Sequence, residues 1–302
     1  MKSWKIGLQL ILILILISSV TNASELFNHW EPILEVTVPE MNLVERPDNV
    51  VGFLNESFGV MAGDWGESWF TNDGGKSWRK TESNFQTHRY GLEIINQNLI
   101  WSCGNTGNVF FSNNGTAEWQ LVGSFGGSMI DSCKHLSFIN SNTGWIASYS
   151  KLGMTNDGGI HWTVLPIPPK LNGIAAIALQ TENTGYLFSI HNGGYLYITN
   201  DRGQTWISRR IGLKKQSYPV SAIDIRPTAA MRFCDAKHGL IIINAPGGLW
   251  ELATSDGGKT WRQGPVPGKN GSLFLAPDGR TLTICDFENV ITVLRRNPLI
   301  EL

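Results

Sequence analysis

T-N-D-G-G-K-S-W at 71–78 decides the fold, because it returns four more times along the chain. The copies are S-N-N-G-T-A-E-W at 112–119, T-N-D-G-G-I-H-W at 155–162, T-N-D-R-G-Q-T-W at 199–206 and T-S-D-G-G-K-T-W at 254–261. Their closing tryptophans, Trp78, Trp119, Trp162, Trp206 and Trp261, stand 41, 43, 44 and 55 residues apart. In four copies an aspartate (Asp73, Asp157, Asp201, Asp256) can accept backbone N–H bonds of its own turn, and the glycine two residues on permits positive φ. The tryptophan then opens the next strand and offers a large ring for burial between the hairpin and its neighbour. The second copy carries Asn114 for the aspartate and Thr116 at the glycine place, which predicts a distorted turn. All ten residues read as structural rather than as metal ligands or acids.

A second register runs ahead of each copy. Phe53, Leu92, Phe138, Leu179 and Phe233 stand six residues before Gly59, Asn98, Gly144, Gly185 and Gly239, read as turn formers and each followed by an apolar residue. A sixth copy at Phe274 and Gly279 is one residue shorter and has no tryptophan motif after it. Together the two registers spell strand, turn, strand, loop, strand, aspartate turn, strand. A four-stranded antiparallel sheet of about 40 residues cannot bury both its faces alone, and a ring of such sheets can. The reading is an all-β propeller of four-stranded blades. The last unit shows only three strands, near 272–276, 281–286 and 290–295, while an orphan apolar strand at 33–38 follows Trp30. The N-terminal strand is therefore expected to complete the last blade and remove its open edge. Six blades result, with seven as the alternative if the 206–261 interval holds another.

Ahead of this domain, residues 1–23 read as a secretory signal: Lys2 and Lys5, an apolar stretch from Ile6 to Val20, and Thr21-Asn22-Ala23 before the cut. Retention as an anchor is the alternative, although about 15 apolar residues fall short of the about 20 a spanning helix needs. Residues 24–302 form one domain outside the cytoplasm, periplasmic, extracellular or in a thylakoid lumen. A formal net charge of −1 argues against nucleic acid or an anionic membrane surface as partner. Cys103, Cys133, Cys234 and Cys285 allow two bridges in three pairings, or remain buried thiols. No H-E-x-x-H, C-x-x-C, G-x-S-x-G or phosphate-binding glycine loop occurs, so no cofactor or metal is expected.

The repeated turn resembles the Asp-box, or bacterial neuraminidase repeat. With F-x5-G ahead of D-G-G-x-[ST]-W, nearly all of 30–295 resembles the photosystem II assembly and stability factor family and its relatives in non-photosynthetic bacteria. The match is fullest at 53–78, 138–162 and 179–206 and weakest at 92–119 and 272–295. That resemblance implies a non-catalytic exported propeller, monomeric, that holds protein partners, membrane-complex subunits among them. A second resemblance is to the sialidases, which use three arginines around a carboxylate, a tyrosine nucleophile with a glutamate, and an acidic aspartate. Here Glu45-Arg46-Pro47-Asp48 lacks a residue of the sialidase N-terminal motif, and loops outside 207–233 are short. Tyr90 or Tyr218 as nucleophile, Arg89, Arg226 and Arg232 as the arginines and Asp48 with Asp131 as carboxylates are what that reading would need. A secreted carbohydrate- or surface-binding module is the third reading.

Partners of propellers gather where the inner strands begin. The segments just before each repeat carry Arg46, His88, Arg89, Lys134, His135, Lys170, Arg226 and Arg232, a cationic set suited to an acidic protein partner. The stretch 207–233, with Arg209, Arg210, Lys214, Lys215 and Pro219, is the longest irregular connection and reads as a docking arm or an extended hairpin.

Overall fold

The computed structural model describes residues 30–37, 50–63, 66–81, 85–116, 118–126, 132–213, 229–245, 247–286, 288 and 290–297. The expected signal segment lies outside them. Strand β1 (Trp30–Thr37) comes first in the chain but belongs to the last sheet. Blade 1 comprises β2 (Val50–Phe53), β3 (Gly59–Ala62), β4 (Ser68–Thr71) and β5 (Arg79–Thr81). Blade 2 follows as β6 (Arg89–Asn96), β7 (Leu99–Gly104), β8 (Asn108–Ser112) and β9 (Gln120–Ser124), and blade 3 as β10 (His135–Phe138), β11 (Gly144–Ala147), β12 (Leu152–Thr155) and β13 (Thr163–Leu165). Blade 4 is β14 (Ala176–Leu179), β15 (Gly185–Ser189), β16 (Tyr195–Thr199) and β17 (Ile207–Arg210), and blade 5 is β18 (Ala229–Phe233), β19 (Gly239–Ala245), β20 (Gly248–Thr254) and β21 (Arg262–Val266). Blade 6 holds β22 (Gly271–Leu275), β23 (Thr281–Asp286) and β24 (Val290–Arg296), with β1 antiparallel to β24 as its fourth strand.

Five sheets pair their strands in chain order and the sixth adds β1 beside β24, and each first strand touches the first strands on both sides all the way round. The ring therefore closes with six blades, and the seven-bladed alternative has no gap to occupy. The long 206–261 interval is explained differently: β17 and β18 take up the two ends of the expected arm, so only 211–228 of it remains, and of that 214–228 lies outside the described residues. Removing 207–233 would take away two strands rather than one loop.

Four glycines of the second register serve as strand residues, not turn formers. Gly59, Gly144 and Gly239 open second strands opposite Phe53, Phe138 and Phe233, whose rings would lie 2.8, 2.4 and 2.4 Å from a Cβ there. Gly185 is opposite Leu179, and a Cβ on it would meet Trp145 of blade 3 at 2.2 Å. The glycine is required for close approach, and the flat rings it admits build the blade interfaces. Trp101 of blade 2 stacks on Phe138 of blade 3 at 4.0 Å, and Tyr186 of blade 4 on Phe233 of blade 5 at 3.6 Å. The true turns lie between, where Asn55, Asn140 and Asp235 accept from the backbone N–H groups two and three residues on. In blade 2 Leu92 pairs with Ser102 instead of Asn98, and in blade 6 Gly279 sits in the turn with φ +63°. In those two copies the residue is the turn former the sequence suggested, Asn98 between β6 and β7 and Gly279 between β22 and β23.

The aspartate turns behave as their residues predict. In blade 1 Asp73 accepts from Ser77 N, Ser77 Oγ and Thr71 Oγ1 at 2.9, 2.6 and 2.8 Å, while Thr71 Oγ1 accepts from Gly75 N at 2.8 Å. Asp157, Asp201 and Asp256 repeat the set. Asn114 instead accepts from Thr116, two residues on, and donates to Glu118 at 2.7 Å, the distortion expected of that copy. Gly74, Gly158, Arg202 and Gly257 each donate their N–H to the first hairpin turn of the same blade, which places both turns at one end of the ring. The tryptophans lean on the preceding blade: Trp206 tilts against Trp145 at 5.9 Å and Trp162 meets Phe125 edge-on at 6.1 Å.

Closure is fastened by a buried polar latch. Glu251 of β20 accepts from Trp30 Nε1 of β1 at 2.7 Å and from Arg296 Nη2 of β24 at 2.9 Å, with Arg262 3.7 Å away. Glu251 and Arg296 are 5% and 8% exposed, so each would be a costly orphan without the other. We expect Glu251→Ala to lower unfolding free energy by about 3–5 kcal/mol, read from urea denaturation, because it strands the Arg296 charge.

Candidate functional site

The end of the ring away from the aspartate turns is the mouth, where first strands begin and the links between blades gather. Below it the six first strands line the central channel, with Val50, Leu92, Leu136, Ile177, Met231 and Leu273 facing a shared space. Largely apolar first strands suit a channel this narrow, since little water is left to solvate polar groups.

Two charges nevertheless meet in it. Arg232 of blade 5 and Glu93 of blade 2, which stand opposite each other in a ring of six, form a bidentate pair at 2.9 and 2.7 Å. Arg232 Nε also donates to the Leu275 carbonyl of blade 6 at 3.0 Å. The Glu93 side chain is 2% and that of Arg232 15% exposed. Fork-to-fork geometry of this kind is the strongest an arginine and a carboxylate can make. The free space left around the pair is about 50 Å³, room for a few waters but far below the about 300–1,000 Å³ of small-molecule pockets.

The expected cationic set is only partly assembled. Arg232 and His135 do line one space, together with the buried Lys134. His135 is buried, and burial together with the Lys134 charge pulls its pKa from 6.5 to about 3, so its ring is neutral. Arg89 is not on the mouth at all. It is fully buried at the interface of blades 1 and 2, where Nη1 donates to Ser68 Oγ at 2.8 Å and the guanidinium lies over Phe110 and Trp119 at 4.6 and 4.7 Å. Trp119 Nε1 donates to the same hydroxyl at 2.8 Å. Burial lowers Arg89 to about 9, which leaves it charged at neutral pH. The loop cation expected there is thus a core residue, held by cation–π contact and a hydrogen bond. His88 is half-buried at the rim, stacked with the buried Tyr90. Arg46, Arg226, Asp48, Asp131 and Tyr218 lie outside the described residues. The arginines needed for a sialidase carboxylate pocket are therefore spent where they can be seen: Arg89 under aromatic rings and Arg232 on Glu93.

Sequence reasoning missed Glu93, and its signal was available. An acid inside G-L-E-I-I at 91–95, as in L-W-E-L-A at 249–253, must find a cation once the strand is buried. Which cation could not be read from it.

A disulfide joins Cys103 of β7 to Cys133, one residue before Lys134, across 30 positions. Cys234 and Cys285 remain thiols. One bridge with two thiols is neither of the expected outcomes, because strands bring only the first two together. The absent side chain of Gly91 makes room, since a Cβ there would be 2.8 Å from Cys103 Sγ. The bridge pins the link into blade 3 that carries Lys134 and His135 to the mouth.

We expect Glu93→Ala to cost about 3–5 kcal/mol by leaving Arg232 unpaired, and the double variant Glu93→Leu/Arg232→Met to recover most of it. The same unfolding assay over pH tests His135. Its folded pKa lies below the unfolded value, so its stabilising effect is complete above pH 6.5 and is lost as pH falls toward 3. Stability should drop between pH 7 and 5 by up to roughly 1.4 kcal/mol per pH unit, and His135→Gln should flatten that slope.

No family model and no curated protein matches this sequence. Solved structures do. YCF48 bound to D1 peptide is 14% identical with a TM-score of 0.54 over 90% of this chain and 96% of that one. A chain of the mitotic checkpoint complex is 11% identical with a TM-score of 0.57, over 90% and 93%. A protein of unknown function from Dyadobacter fermentans is 11% identical with a TM-score of 0.55, over 89% and 100%. At these identities what is shared is the propeller fold.

Proposed function

We propose that this chain is an exported, non-catalytic Asp-box propeller that binds protein partners at its mouth, as an assembly or stability factor of the kind its sequence resembles. The observation that carries the reading is the Arg232–Glu93 pair across the channel. With the axle tied by charge, the surface left for a partner is the rim of links and loops, which suits an extended protein segment better than a small substrate. YCF48, solved with D1 peptide, has this fold, and that supports peptide or protein binding by such a ring. The Cys103–Cys133 bridge supports an oxidising compartment, and hence export. Membrane-complex subunits are the partners the resemblance points to, with the chain acting as a monomer and without a cofactor.

Arg46, His88 and Arg226 are the cations to test: His88 is half-buried at the rim and outside the Arg232–Glu93 pair, and the other two are the sequence candidates beyond the described residues. The purified chain, used as bait on its native envelope fraction, should retain a defined protein that Arg46→Ala/His88→Ala/Arg226→Ala loses at unchanged melting temperature. Turnover of a sialoside by the same preparation, with no protein retained, would overturn the reading in favour of a hydrolase.

A further inference from the structure

At the end of the ring opposite the mouth, blades 4 and 5 leave a groove of about 530 Å³ between them. Its walls come from the bottom of blade 4 (Thr184, Asn200, Arg209) and from the two turns of blade 5 that meet there (Lys237, Ser255, Lys259). Gly257 N donates to the Lys237 carbonyl at 2.8 Å, which holds those turns together. Arg209, on the outer strand of blade 4, donates to the Gly257 carbonyl and is thereby aimed across the groove.

The charges are unevenly committed. Asp256, the carboxylate of the lining, accepts from Lys259 N, Thr260 N, Thr260 Oγ1 and Thr254 Oγ1, so both its oxygens serve its own turn. Asp235 nearby does the same for Lys237 N, His238 N and the His238 ring. Arg209, Lys237 and Lys259, by contrast, make no ion pair among the described residues, and both lysines are exposed. Asp256 and Asp235 stay ionised in these turns, and three cations against two carboxylates still leave a net positive charge around the concavity although the chain as a whole is slightly acidic.

Size and wall chemistry narrow the ligand. The volume falls within the about 300–1,000 Å³ typical of organic ligands and is too large for a lone inorganic anion. Hydroxyl and amide groups of Thr184, Asn200 and Ser255 can each donate and accept, as sugar hydroxyls require. Of the apolar lining, Tyr186 and Ile198 are 2% and 8% exposed and already packed into the blade interface, and Ala236 offers a single exposed methyl, so no deep apolar socket is open to anchor a peptide side chain. We infer that this groove binds an acidic saccharide, its carboxylate or sulfate held by Arg209, Lys237 and Lys259 and its hydroxyls by Thr184, Asn200 and Ser255. The site is independent of the mouth and of the partner proposed for it.

Calorimetric titration at low salt tests this with digalacturonate and a sulfated heparin disaccharide, beside maltose, hexaglutamate and inorganic sulfate. At least one acidic disaccharide should bind, maltose should not, and Lys237→Gln/Lys259→Gln should weaken binding at least tenfold without moving the melting temperature. Arg209→Gln should weaken it further, while His88→Ala at the mouth should leave it unchanged. Failure of both acidic disaccharides to bind, or equal binding by the lysine variant, overturns the site. Hexaglutamate binding as tightly, or displacement by equimolar sulfate, overturns the saccharide assignment.

Discussion

The antiparallel pairing of β1 with β24 is the contact on which the rest of the molecule depends. Each blade is a sheet with two apolar faces, and only its neighbours cover them, so a ring left open would expose two faces and one row of unpaired backbone groups. Joining the first strand to the last sheet converts the ends of the chain into one hydrogen-bonded blade. Glu251 then fastens that blade to blade 5, collecting Trp30 from one end of the chain and Arg296 from the other. The polar contact adds register: only with Trp30 opposite Arg296 do both donors reach one carboxylate.

Buried charge recurs where non-adjacent parts must agree. Glu93 and Arg232 span the axle between opposite blades, and Arg89 sits between blades 1 and 2 beneath Phe110 and Trp119. Such groups contribute little net stability compared with apolar replacements, but a mispaired arrangement would strand a charge and be penalised by several kcal/mol. Six similar blades could pack in shifted registers at little apolar cost, and these pairs distinguish one arrangement from the rest. The same pair that centres the ring also closes its channel, which turns the outside of the ring into the surface available for recognition. The two surfaces proposed for recognition lie there, one on the link-bearing rim and one between the turns of blades 4 and 5.

Much of this was legible from particular residues. The aspartate turns predicted their own hydrogen bonds, and Asn114 with Thr116 predicted the copy that deviates. The orphan strand after Trp30 predicted the closure. Gly144 and Gly239 misled, because glycine permits both a turn and a close approach, and only the position of the Phe138 and Phe233 rings selects the second. Arg89 misled for a similar reason: a cation ahead of a strand looks solvated until Trp119, thirty positions on, is laid over it.

By itself the sequence determined the four-stranded blade, its aspartate turns and the manner of closure, since these rest on hydrogen bonds and periodicities within about 40 residues, while the choice of six blades over seven waited for the closed ring. Tertiary structure alone decided which cations are buried, which acid each one meets, that Cys103 bonds Cys133, and where the ring is closed or grooved. Those outcomes depend on distances between blades far apart in the chain, such as the 139 positions between Glu93 and Arg232, and no local pattern encodes them.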